Sequence, residues 1–189
     1  MSGLRVIARR EEYPVVGSTR AQLASMIAML GPVRGGRRFG AYTDWQVHWA
    51  YQRVSEGDRW RAADVTVTVT LCTTLPRWRR SAPVDAALAR AWDDYSSALE
   101  AHEAGHAALA ESAAQALYEG LCGLSPEPSR EALDARATAT AHAVVEAHRR
   151  READYDRDTE HGARQGCSLE SPPRAPAPEG REIPRTRAR

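Results

Sequence analysis

The stretch LARAWDDYSSALEAHEAGHAALAESAA, residues 88–114, decides how this chain folds. Its apolar residues and two histidines recur at steps of four and three, which is the spacing of one face of an α-helix. A long helix is therefore predicted, with Ser81 as its N-cap and an end near Leu121, where Gly123 can stop it. The predicted buried stripe consists of Leu88, Trp92, Tyr95, Leu99, His102, His106, Leu109 and Ala113.

A second long helix follows Pro126 and Pro128, which interrupt the chain. Its apolar spacing predicts a helix from about Ser129 to Tyr155. Two long helices joined by a short loop form an antiparallel hairpin. If that hairpin turns near Ser125, residue 148 lies level with residue 102. The predicted buried stripe of this helix is Leu133, Ala137, Thr140 or Ala141, Val144, His148 and Tyr155.

The first half of the chain shows the period-two pattern of β-strands. Residues 5–16 predict a short strand that Pro14 restricts to an edge or an end, and AQLASMIAML predicts a short helix. Alternation in TDWQVHWAYQRV and ADVTVTVTLCTTL predicts two strands that turn at Gly57 and Asp58. His48 falls on the polar face of its strand, so we expect it to be solvated.

These elements predict an α+β domain over residues 1–168. A small antiparallel sheet with one short helix packs on two long helices, and the first long helix carries an HExxH motif, as in zincin-like folds. Residues 169–189 are rich in Pro and Arg with almost no apolar side chains, which predicts a disordered tail.

Composition limits the possible partners and the compartment. The 26 basic residues, all Arg, and 25 acidic residues give a formal net charge of +1, which predicts neither nucleic-acid nor membrane binding. Three widely spaced cysteines argue against a disulfide scaffold or a CxxC zinc knuckle. No apolar run reaches the length of a signal peptide, which predicts a cytoplasmic protein. A misassigned start codon would hide a leader and make the protein secreted.

The segment HEAGH at residues 102–106 carries the predicted chemistry. Histidines four residues apart share one face of a helix, so His102 and His106 can bind one Zn²⁺ ion. Glu103 then lies beside the metal, where it can take a proton from a zinc-bound water. Ala104 and Gly105 serve as small spacers. Two buried histidines without a ligand would be costly, which favours zinc binding over a purely structural role.

The residues themselves leave the third zinc ligand open. The pattern HExxHxxGxxH fails, because Leu109 and Ser112 stand where Gly and His are needed. Hairpin geometry favours His148, whereas His161 requires the chain to fold back after the second helix, as Gly162 permits. The candidate ligands are His142, His148, His161, Glu146 and Glu152.

Five segments together resemble a bacterial family, domain of unknown function 922, described as secreted zinc-dependent proteases. The segments are EYPVVG, GGRRFGAYTDWQVHW, VTVTVTLCTTLPRW, HEAGH and YDRDTEHGARQG, in matching order over about residues 9–166. The last resembles the family pattern YDxxTxHG, which implies His161 as the third zinc ligand. It also implies that Asp156 orients a metal-bound imidazole. Tyr155 either donates to an oxyanion or packs in the core.

The predicted function is that of a zinc-dependent metallohydrolase that cleaves peptide bonds in a peptide or protein substrate, with Glu103 as general base. The edge of the sheet could hold an extended peptide by strand addition. One alternative is a zinc-stabilised binding domain without catalysis. Another is an amidase that acts on a cell-wall or small-molecule substrate. The sequence does not determine the substrate or the oligomeric state.

Overall fold

The structure is a computed structural model that describes residues 3–80 and 83–169, and it has the predicted α+β composition. The elements in chain order are β1 (Gly3–Val15), α1 (Arg20–Leu30), β2 (Val33–Arg34), β3 (Arg37–Arg38), β4 (Tyr42–Glu56), β5 (Arg59–Trp78), α2 (Ala86–Cys122), α3 (Arg130–Thr159) and a 3₁₀ turn at Ala163–Gln165. Strands β2 and β3 form a two-residue hairpin from the Gly- and Arg-rich loop.

The main sheet is mixed, so the prediction of an antiparallel sheet is wrong for β1. Strands β4 and β5 form the predicted antiparallel hairpin around Gly57, but β1 pairs with β5 in parallel, in the order β1-β5-β4. The strand β5 takes the centre because its alternate side chains are the most apolar, with Val67 and Val69 fully buried against the helices. The edge position of β1 agrees with Pro14 near its end.

The two long helices begin at residues that cap them. Helix α2 starts four residues later than predicted, because the Asp85 carboxylate accepts a hydrogen bond from the Leu88 amide at 2.8 Å. The predicted cap, Ser81, lies outside the described residues. Helix α3 starts as predicted, with the Ser129 hydroxyl accepting from the Ala132 amide at 3.1 Å. It extends to Thr159, four residues beyond the predicted end.

The apolar core divides into two clusters along α2. The first half of the helix, including Tyr95 and Leu99, packs with β1, α1 and the end of β5. The second half, including Leu117 and Leu121, packs with the middle of β5 and with α3. The HEAGH segment lies on α2 between the two clusters. At this point α2 faces the end of α3.

The last described residue, Leu169, is buried in the first cluster, although the sequence assigned it to the tail. The remainder of the predicted tail, residues 170–189, lies outside the described residues. No helix in the described part of the chain combines the length and the apolar character that crossing a membrane requires.

Candidate metal centre

Helices α2 and α3 bring three potential metal ligands together. Atoms of His102, His106 and Asp156 all lie within 4.8 Å of one another. The Asp156 Oδ1 atom is 3.4 Å from His102 Nε2 and 3.1 Å from His106 Nε2. Ligand atoms bound tetrahedrally to zinc at ~2.0–2.1 Å lie about 3.3–3.4 Å apart. The spacing and the donor types therefore fit a single metal ion.

His161 lies beside this group, at the point where the chain reverses after α3. Glu160, His161 and Gly162 all have positive φ angles, of 52°, 52° and 84°. The reversal brings His161 Nδ1 to 3.4 Å from Asp156 Oδ1. His161 does not belong to the group whose ligand atoms are mutually within 4.8 Å, and its side chain is 45% exposed. The structure thus places His161 next to Asp156 at the rim.

The chain that follows the reversal orients His102. Gln165 Oε1 lies 2.8 Å from His102 Nδ1, so an imidazole protonated at Nδ1 donates to this amide oxygen. The Nε2 atom of His102 then faces Asp156 and the cleft, and it offers a lone pair there when the ring is neutral. An outer partner of this kind fixes the tautomer and the ring plane of a metal-binding histidine. Gly162 also packs against the His102 ring, because an added Cβ would lie 3.1 Å from His102 Cγ.

The second ring nitrogen of His106, Nδ1, faces Glu152 of α3, which is hydrogen-bonded to β4. Glu152 Oε1 lies 4.0 Å from His106 Nδ1 and accepts a hydrogen bond from Trp45 Nε1 at 2.7 Å. Burial raises the pKa of Glu152, while the Trp45 hydrogen bond opposes that rise. Trp45 thereby connects the edge strand β4 to the end of α3 and keeps the Glu152 carboxylate near the candidate metal position.

Glu103 is buried beside the three ligands and is held by the sheet. It is 4% exposed, and Thr43 Oγ1 of β4 donates to Glu103 Oε2 at 2.7 Å. Burial raises the pKa of this carboxyl, while the Thr43 hydrogen bond and the two imidazoles of the motif oppose the rise. A carboxylate with a raised pKa accepts a proton more readily, which suits a general base.

Charge in the group is arranged around Asp156. Burial opposes its ionisation, but hydrogen bonds from His102 and His106 hold the pKa of Asp156 well below its usual range. Burial alone would lower the pKa of His102, yet contacts with Asp156 and Gln165 and the charge of Glu103 raise it overall. A cation bound by these residues would compete with the protons of the imidazoles.

Tyr155 packs against the motif. Its ring stacks on His102 with 5.1 Å between ring centroids and stands perpendicular to His106 at 5.0 Å. Its hydroxyl donates to the backbone carbonyl of His102 at 3.2 Å. A Cβ on Gly105 would lie 2.3 Å from the Tyr155 hydroxyl oxygen, so the small spacer in HEAGH admits this ring. These contacts give Tyr155 a packing role.

The group faces a cleft of about 430 Å³ that continues into a longer groove. The groove, of about 740 Å³, runs between α3 and the outer edge of β4, and both spaces are lined by Tyr42, Thr43 and Glu152. Residues 42–49 line the groove consecutively, so the strand edge itself, and not only one face, forms its wall. Because β4 is at the edge of the main sheet, this wall presents backbone groups.

The other candidate ligands lie elsewhere. His148 is buried, with Nδ1 3.0 Å from the Val144 carbonyl and Nε2 3.4 Å from Ser112 Oγ. The estimate that residue 148 lies level with residue 102 is therefore wrong. Before α3 begins, Glu127 pairs with Trp60 of β5 through two backbone hydrogen bonds, which lengthens the connection and shifts α3 along α2. His142 and Glu146 line the groove, and His48 is exposed as expected.

Sequence reasoning missed two residues that contact the group. Gln165 is part of the segment YDRDTEHGARQG, so its proximity to His161 in the chain was a usable signal. Thr43 is also part of a quoted segment, GGRRFGAYTDWQVHW, but its contact with Glu103 joins residues 60 apart in sequence. Such a contact depends on how β4 is placed against α2.

Comparison with known proteins identifies one family model, described as a bacterial protein of unknown function (DUF922), which matches residues 10–162. The match includes the HEAGH segment, Asp156 and His161 and ends before Gln165. No match was found among curated proteins or among solved structures.

Proposed function

This chain belongs to the bacterial DUF922 family, whose function is unknown, and we propose that it is a zinc-dependent metallohydrolase that cleaves peptide bonds. The observation that carries the proposal is the convergence of His102, His106 and Asp156 beside the buried carboxylate of Glu103. Two imidazoles and a carboxylate with one position left open make up a common zinc set in hydrolases.

Asp156 is the third ligand that the geometry favours. Its Oδ1 atom is at ligand-to-ligand distance from both imidazoles, whereas His161 lies 3.4 Å from Asp156 and is outside the group of mutually close ligand atoms. His161 then supports the carboxylate from outside, which exchanges the two roles that the family resemblance implies. When bound, the ion supplies a Lewis acid that lowers the pKa of a water molecule and polarises a carbonyl group.

Glu103 acts as the general base in this proposal. Thr43 holds Glu103 Oε2, so the carboxylate has a fixed orientation next to the ligands. Its raised pKa favours acceptance of a proton from the attacking water and its later donation to the leaving amine. Gln165 keeps the Nε2 atom of His102 turned towards the cleft throughout.

The groove beside β4 supports a peptide substrate over a compact small molecule. An extended peptide can add to a free strand edge through backbone hydrogen bonds, largely independently of side-chain identity. The eight groove residues 42–49 of β4 extend over about 26 Å at ~3.3 Å per residue, enough for several substrate residues. The groove reaches the metal cleft at Tyr42 and Thr43, so a bound strand would lead to the catalytic group.

Cleavage by matched variants tests this function. The zinc-loaded full-length chain is incubated with a mixture of unfolded proteins and peptides, and new amino termini are detected by mass spectrometry. Glu103→Gln should keep its zinc and its fold but lose about 10²–10⁴-fold in turnover. Glu119→Gln is the control, because Glu119 is exposed on the same helix and contacts Gln115.

Cleavage that survives a zinc chelator, or that is equal in wild type and Glu103→Gln, contradicts the proposal. If neither form cleaves while both bind zinc, the result supports the zinc-stabilised binding domain instead.

A further inference from the structure

A second pocket, of about 330 Å³, adjoins the metal cleft on the side away from the β4 groove. Arg38, Phe39 and Gly40 line both spaces, so the pocket opens next to the cleft across this short segment. The Phe39 ring lies 5.8 Å from the His161 ring, measured between centroids, which places the shared wall beside the metal group. The cleft therefore has the strand groove on one side and this pocket on the other.

The pocket is apolar in character. Ile27, Tyr95 and Leu169 contribute to its lining, and each is less than a tenth exposed. Ala24 and Ala28 of α1 add small side chains, which leave room between the helix and the Phe39 segment. The Arg38 guanidinium is held by the backbone, because its Nη1 atom donates a hydrogen bond to the Gly31 carbonyl at 2.8 Å.

The size of the pocket fits a large side chain, because an apolar cavity of ~150 Å³ already accommodates benzene. The distance between the pocket and the metal group can be read from the spacing of residues along α2. Tyr95 precedes His102 by two helical turns, or about 10 Å at ~1.5 Å per residue. An extended peptide advances ~3.3–3.6 Å per residue, so a side chain one or two residues from the reacting bond reaches this far.

We propose that this pocket receives a large apolar side chain of the peptide substrate, such as Leu or Phe, within about two residues of the cleaved bond. This inference rests on the proposed peptidase function. A rival occupant is the segment of residues 170–189, which follows the pocket-lining Leu169 in the sequence. Residues 170–189 offer only one large apolar side chain, Ile183, so the substrate is the better occupant.

The first experiment compares cleavage preferences of two variants on the same helix. Ala28 lines the pocket but is exposed, so Ala28→Leu fills the space without disturbing the core. Ala21 is exposed and is not part of the pocket lining, so Ala21→Leu is a matched control. With a random peptide library, Ala28→Leu should lose about 10-fold or more of the preference for Leu and Phe over Ala. Ala21→Leu should retain it. Equal preferences in wild type and Ala28→Leu overturn the proposal.

The second experiment decides the matter if the protein cleaves nothing. N-acetyl-leucine amide, N-acetyl-phenylalanine amide and N-acetyl-alanine amide are titrated into the full-length protein, and the methyl NMR signals of Ile27 and Leu169 are followed. The Leu and Phe compounds should shift these signals in wild type and Ala21→Leu but not in Ala28→Leu. Binding without cleavage would contradict the proposed peptidase function but support the proposed side-chain pocket. Absence of binding in a protein that does not cleave would overturn the pocket proposal.

A full-length Ile183→Ser variant tests the rival occupant in both experiments. Unchanged preference and binding support the substrate as the occupant. If Ile183→Ser binds the Leu compound or cleaves Leu-containing peptides more strongly than wild type, the C-terminal segment fills the pocket and the proposal is wrong.

Discussion

The two ends of the α2–α3 pair differ in what the helices place between them. At the closed end, Ala114, Leu117 and Leu121 of α2 belong to the same buried cluster as Ala137 and Ala141 of α3. These small and branched side chains leave the helices in direct contact. At the open end, formed by His102, Glu103, His106 and Asp156, the facing side chains are polar or charged, and the helices border a cleft.

The aspartates of α3 show the same contrast. At the closed end, Asp134 receives two hydrogen bonds from Arg53, at 2.7 and 3.0 Å, and one from Tyr51, so a permanent cation neutralises it. At the open end, Asp156 faces three imidazoles and has no guanidinium partner among its described contacts. Imidazoles are cationic only when protonated, so a divalent ion would be the better partner. The two clusters thus differ in that Asp134 is neutralised within the protein, whereas the charge of Asp156 is one that a bound cation would complement.

The largest expected effect separates Asp156 from both Asp134 and His161. Asp156→Ala should lower zinc affinity by more than about 100-fold, because it removes a ligand, whereas loss of an outer partner costs ~10–100-fold. His161→Ala should fall in that smaller range. Asp134→Ala should leave zinc affinity unchanged. Competition titrations with a zinc indicator measure all three.

A reversed order, with His161→Ala losing more affinity than Asp156→Ala, would support the ligand set implied by the family resemblance. X-ray absorption of the wild type would then count three imidazoles on zinc instead of two.

An intermediate effect is expected at Thr43, the residue of the sheet that donates a hydrogen bond to the proposed base, Glu103. Thr43→Val removes the hydrogen bond to Glu103, and a hydrogen bond to a charged group is worth ~1.5–3 kcal/mol, or about 10–100-fold in turnover. Zinc content should not change, and Thr43→Ser should restore activity. Thr68→Val, on the same sheet away from the cleft, provides the control. Equal turnover in wild type and Thr43→Val would show that Glu103 needs no such support.

The smallest effect compares one substitution at the open and closed ends of the α2–α3 pair. A Cβ on Gly105 would lie 2.3 Å from the Tyr155 hydroxyl oxygen and 2.5 Å from its ring, whereas a Cβ on Gly120 meets only a Thr140 methyl group at 2.9 Å. Gly105→Ala should lower the free energy of unfolding by ~1–3 kcal/mol through overpacking. Both substitutions gain about 1 kcal/mol of helix propensity, but Gly120→Ala should cost less, because its Cβ meets one methyl group instead of the Tyr155 ring and hydroxyl. Denaturant unfolding of the metal-free proteins measures both, and equal losses would contradict the packing of Tyr155 on the motif.

The sequence predicted the elements with strong local signals. The stripe from Leu88 to Ala113 gave α2, and alternation gave β4 and β5, because helix and strand periods are properties of neighbouring residues. The parallel pairing of β1 was not predicted, because it depends on which strand occupies the centre of the sheet. The helix is capped by Asp85 instead of the predicted Ser81, and local sequence does not separate the two because both residue types can cap a helix.

The candidate site was predictable only in part. HEAGH marked His102, Glu103 and His106, and the resemblance drew attention to Asp156 and His161 before any geometry was known. Which of the last two lies closer to the histidines depends on where α3 ends and how the chain reverses, and no local pattern encodes that. The position of residue 148 along α2 was predicted wrongly for a similar reason. The loop pairs with Trp60 before α3 begins, and this pairing depends on the tertiary structure.

Zinc binding by the full-length chain tests the central claim most directly. The account predicts one equivalent of tightly bound zinc in the wild type, none in His102→Ala/His106→Ala, and one in His142→Ala/His148→Ala, which removes two histidines of α3 outside the group. Elemental analysis after dialysis against a weak chelator gives the stoichiometry. Zinc near zero in the wild type, or zinc retained by His102→Ala/His106→Ala, would contradict the metal centre.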